Sequence, residues 1–96
     1  MILDDKKPIK DYKGQDFKDG NESFTMKSLA IHALEGTKIE DPNASELAGV
    51  IMVKVFNNER LANDEIDLTK RVMMGFFHQR ILGYISKQFE DANTKG

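Results

Sequence analysis

The chain has no cysteine, which excludes disulfides, thiolate catalysis and cysteine-type zinc sites. It has only two prolines, beside 40% hydrophobic and 31% charged residues, a balance that argues against wholesale disorder. Charge of one sign is missing too. Fourteen Lys and Arg face sixteen Asp and Glu for a net charge of −2, so no basic excess advertises nucleic acid or anionic lipid. Long apolar runs are absent. The longest, Val50 to Val53, is far short of the ~20 residues that cross a bilayer. Met1-Ile2-Leu3-Asp4-Asp5 turns acidic at once, where a secretory signal needs a basic stretch and then an apolar one. These absences lead us to expect a protein of a reducing cytoplasm, with no cofactor, no nucleic acid and no membrane among its partners.

What is present suits one small domain. Ninety-six residues allow a single modest core, since a chain of this size buries roughly two-thirds of its unfolded surface. Charge is even along the chain: residues 1–24 carry five basic and six acidic groups, 25–60 four and five, and 61–96 five and five. Neither end reads as a charged tail. We divide the domain into an N-terminal hairpin or arm (1–23), a helical core (25–90) and a flexible tail (91–96).

In the first segment Pro8 to Tyr12 alternates, with Ile9 facing one way. Lys13-Gly14 offers a turn in which glycine takes positive φ, and Gln15 to Lys18 returns. Gly20 adds punctuation. The rival reading is an irregular arm.

Thr25 is a good helix cap, with Phe24 and Leu29 at the positions of a hydrophobic staple. Met26, Leu29, Ala30, Ala33 and Leu34 repeat as one buried helical stripe, and Gly36 is placed to end the helix in the left-handed conformation. The next helix starts either at Asp41-Pro42, a cap followed by proline, or at Asn43 with Glu46 in a capping box. Between Ala44 and Phe56 the β-branched residues favour strand, whereas the start signals and the length favour helix. We choose helix, ended by Asn57-Asn58. Residues 58–68 then read as a polar connection, with room for a short turn of helix. Thr69 caps a closing helix whose face runs through Met73, Phe76, Phe77, Ile81, Tyr84, Ile85 and Phe89. Gly75 and Gly83 fall inside it, so either the helix breaks near Gly75 or the glycines admit a neighbouring backbone. The expected fold is mainly α: three helices and a short N-terminal β-hairpin or extended arm.

Chemistry is sparse. His32 and His78 lie on different helices and read as ordinary hydrogen-bonding side chains. His78, Asp67 and Ser86 assemble a triad on paper, with no nucleophile elbow to support it. There is no metal-binding H-E-x-x-H, no calcium loop around Asp16, Asp19 and Glu22, and no phosphate-binding glycine loop. No catalytic, cofactor or metal residue is assigned. The closing helix is instead too widely apolar for one ~100° stripe. Met74, Phe77 and Leu82 lie toward its flanks, either as a patch suited to a protein partner or a homo-oligomer, or covered by the N-terminal arm. Lys70 and Arg71 meet the positive end of the helix dipole, which fits an acidic partner. These five are the candidate contact residues.

Three segments, Phe24-Thr25-Met26-Lys27-Ser28-Leu29 with Ala33-Leu34, Ile66-Asp67-Leu68-Thr69, and Gln79-Arg80-Ile81-Leu82-Gly83, occur in an order that resembles a group of small bacteriophage accessory proteins. The resemblance spans roughly residues 9–90 and rests on helix caps and stripes. Lys70-Arg71 stand where that group has an acidic first turn. The resemblance implies a viral, non-enzymatic protein of the host cytoplasm that binds a host or phage protein. The alternative is a virion-associated assembly protein, such as a tail-assembly chaperone or small connector subunit.

Overall fold

The computed structural model describes residues 1–19 and 22–95, with only the backbone described at 19 and 92–95. Gly20 and its predicted turn lie outside the described residues. The fold is mainly helical, with four helices among the described residues where the sequence predicts three. Strands β1 (Lys18–Asp19) and β2 (Glu22–Ser23) precede α1 (Met26–Gly36), α2 (Pro42–Phe56), α3 (Asn63–Phe76) and α4 (Gln79–Lys95).

Helices α1, α2 and α3 pack on one another pairwise, and α4 folds back on α3. The predicted α1 stripe, Met26, Leu29, Ala30, Ala33 and Leu34, is buried in full. Thr25 caps α1: its hydroxyl accepts the Ser28 N–H at 3.2 Å, and the Ser28 hydroxyl accepts the Thr25 N–H at 2.8 Å. At α2, Asp41 accepts the Ala44 N–H at 3.1 Å, so the Asp41-Pro42 start prevails. Asn58, at φ +57°, closes α2 with the paired bonds of a Schellman end: Asn58 N–H to Val55 O and Glu59 N–H to Lys54 O.

The N-terminal segment belongs to the core. Gly14 adopts φ +82°, as the turn requires, and Lys10 bridges Asp16 across it. Ile9 N–H donates to Phe24 O, Phe24 N–H to Phe17 O and Phe17 N–H to Ile9 O. This closed backbone ring ties the arm to the entry of α1. Leu3 and Ile9 are buried with the helical core, and Tyr12 N–H reaches Arg80 O at the start of α4.

Four expectations need correction. Residues 58–68 are not simply a connection, because α3 begins at Asn63. Its start has no capping side chain of its own; instead the Glu65 carboxylate reaches back to the Ala62 N–H at 2.7 Å. Thr69 is therefore not a cap. It lies buried inside α3, its hydroxyl donating to Glu65 O at 2.7 Å. Gly36 does not take positive φ. It is the last residue of α1, and a Cβ there would meet the Phe76 ring at 2.7 Å. The closing helix is two helices, broken at Phe77-His78 just after Gly75. Neither Gly75 nor Gly83 meets a neighbour within 4 Å, so close backbone approach is not their role. The expected tail is helical as far as Lys95.

Glu65 also accepts from the Lys54 ammonium at 2.9 Å, pinning α3 to α2. Burial pushes its carboxyl up, but the Ala62 N–H and Lys54 outweigh burial and hold the pKa below its ordinary 4.5. A depressed folded pKa contributes stability above the unfolded pKa and loses it as pH falls through the folded value. The urea midpoint should therefore fall as pH is lowered below about 4.5. Glu65→Gln should flatten this dependence and leave the smaller contributions of Asp4 and Asp16, whose pKa values are also lowered. An unchanged pH profile in the variant contradicts this assignment.

Candidate functional site

The break between α3 and α4 makes a corner at which two adjacent phenylalanines meet. Phe76 and Phe77 stand edge to face, with centroids 5.1 Å apart at 83°. From α1, His32 meets Phe76 edge-on at 5.5 Å and stacks over Phe77 at 6.4 Å. Such spacings are those that aromatic pairs favour. Gly36, one turn beyond His32, leaves the space into which the Phe76 ring fits.

The arm closes the other side. Phe17 and Phe24, 5.5 Å apart, line a hollow of about 290 Å³ with Lys18, Leu29, His32, Phe76 and Phe77. Leu29 is buried beneath it, whereas Phe17, Phe24 and Phe77 are half-buried and Phe76 is 38% exposed. The backbone ring of Ile9, Phe17 and Phe24 holds the arm's two rings in place.

Of the predicted contact residues, Phe77 lines this hollow. It is half-buried, as are Met74 and Leu82, and all three pack against the core. They are therefore less open than a free flank patch, and at Phe77 the arm residues Phe17 and Phe24 wall the same hollow. Phe76, expected in the core, is the more exposed of the doublet: it is the last residue of α3, and its ring is left 38% exposed. Arg71 lies in a separate hollow of about 350 Å³ with Asp41, Asp64 and Asp67, and Lys70 is half-buried. Both cations stand within α3 rather than in its first turn, which carries Asp64 and Glu65, so the dipole argument for an acidic partner does not hold for them.

The paper triad does not assemble. The imidazole Nδ1 of His78 accepts the Arg80 N–H at 3.3 Å, which makes His78 a cap for α4. Asp67 lines the Arg71 hollow, and no hydrogen bond joins His78, Asp67 and Ser86 among the described residues.

Sequence reading missed a second surface. On the outer face of α2, Val50, Val53 and Phe56 are 44%, 59% and 69% exposed. Lys27 stands 5.6 Å from the Phe56 ring and 3.9 Å from Asp5. The available signal was the excess of β-branched residues on α2, more than one buried stripe can use.

Compared with protein-family models, curated proteins and solved structures, the chain matches none of them.

Proposed function

We propose that this chain is a non-enzymatic accessory protein of bacteriophage origin that binds another protein, of the host or the phage, in the host cytoplasm. The observation that carries the reading is the aromatic corner: five rings around one hollow, most of them left partly open to solvent. Folding normally covers such surface, and a contiguous open patch of aromatics is what protein contacts use. The viral origin is supported by the order of sequence motifs. No helix among the described residues is long and apolar enough to cross a membrane.

A photoreactive phenylalanine analogue placed at residue 76 or at residue 53, in bacteria under phage infection, tests the reading. Residue 76 should crosslink to one discrete protein. Absence of any adduct at residue 76, with the variant folded, would contradict it.

The exposed Val50, Val53 and Phe56 face favours a second reading, an assembly subunit that contacts its own copies through α2. An adduct between two copies of the chain at residue 53 supports that reading.

A further inference from the structure

We propose that the aromatic hollow receives a short acidic segment of the partner protein, seating one aromatic side chain on Phe76 and Phe77 with a carboxylate facing Lys18. The proposal rests on the hollow being the contact site and adds the chemistry of its occupant. Size is the first argument. A volume of about 290 Å³ falls at the floor of the ~300–1,000 Å³ that whole small molecules occupy, and suits a protruding side chain.

Charge is the second argument. Lys18 is a cation on the rim, and no carboxylate of the described residues lines the hollow. Lys18 forms no salt bridge among the described residues, whereas Lys10 and Lys54 are each matched to an acid. Lys18 acts on Asp16 only at a distance, since Asp16 is bonded to Lys10, so an incoming carboxylate meets a cation with no bonded acid among the described residues. Aromatic faces with one lysine also suit a stacked base, but a nucleic acid brings a phosphate at every step. The near-neutral chain, with its net charge of −2, offers no cationic track to follow that backbone.

The position of Phe76 is the third argument. Its ring rests over Gly36, where a Cβ would come within 2.8 Å of both Cε2 and Cζ. Gly36→Ala must swing the ring outward, so Gly36 acts as a positioning residue that can be altered without removing any part of the lining.

The test is titration of the ¹⁵N-labelled full chain, followed by amide shifts, with four probes: acetyl-Asp-Phe-Asp-amide, acetyl-Asp-Ala-Asp-amide, acetyl-Lys-Phe-Lys-amide and an oligothymidylate. The acidic aromatic peptide should give saturable shifts at Phe17, Lys18, His32 and Phe77. It should bind about fivefold tighter than the basic one, the scale of an exposed ion pair. The acidic peptide lacking the ring should give no saturable shift. Lys18→Glu should abolish the preference, and Gly36→Ala should weaken both aromatic peptides while keeping it. Equal binding of the acidic and basic aromatic peptides would overturn the proposal and leave the hollow as a contact site. Saturation by the oligothymidylate with no response to either aromatic peptide, or no response to any probe, would overturn both.

Discussion

Ile9→Ala should destabilise the domain by about 2–5 kcal/mol, the range for truncating a fully buried isoleucine, although Ile9 lies in a segment with no helix. Its side chain is 0% exposed, and its backbone both gives and accepts a bond in the ring with Phe17 and Phe24. A stability of 5–15 kcal/mol is usual for a domain, so this loss is large. At ~4–8 °C per kcal/mol for a chain of this size, the melting temperature should drop by about 8–40 °C. Tyr12→Ala, at an exposed tip of the same arm, should change stability by less than about 0.5 kcal/mol. Thermal denaturation followed by circular dichroism separates the two cases. Equal, small effects would mean that the arm is an appendage and that the hollow it walls is not preformed.

Leu29→Glu and Ile81→Glu should leave no folded protein, while Phe77→Glu should fold. Leu29 and Ile81 are each 1% exposed, so a carboxylate there has no route to water. Burying it unpaired costs several kcal/mol beyond the lost packing, enough to consume most of the domain's stability. Phe77 is half-buried on the wall of an open hollow, where a Glu side chain reaches solvent. Its replacement should cost about 1–3 kcal/mol, the scale of one partly buried aromatic. Sedimentation with circular dichroism checks all three. If Phe77→Glu unfolds as readily as the other two, the corner is interior and carries no contact.

How legible these features were in the sequence depended on whether their cause was local. Thr25 and Asp41-Pro42 satisfy their own helix starts with side chains one turn away, and both helices were read correctly from them. The same signals correctly outweighed the β-branched run in α2. The start of α3 was hidden because Ala62 carries no capping group and the work falls to Glu65 three residues on. Thr69, after a leucine and before an apolar stripe, imitated a cap; its hydroxyl is spent on a carbonyl within the helix. The break was one of the two readings of Gly75; its place at Phe77-His78 was hidden because it has no proline and its cap is an imidazole. Gly36 looked like a conformational stop, yet its small size matters because of Phe76, forty residues further along the chain. The hollow itself joins Phe17, Phe24, His32, Phe76 and Phe77 across four separate segments.

The central claim is that the aromatic corner, rather than the outer face of α2, meets the partner. Calorimetric titration of the crosslinked partner, once purified, against the wild type, Phe76→Glu and Val53→Glu tests it most directly. Both positions are exposed enough for the variants to stay folded. Phe76→Glu should weaken binding at least about tenfold, the effect of losing ~1.4 kcal/mol at an aromatic contact, and Val53→Glu should leave it unchanged. The reverse result, full affinity in Phe76→Glu and a tenfold loss in Val53→Glu, would contradict the claim and move the contact to α2.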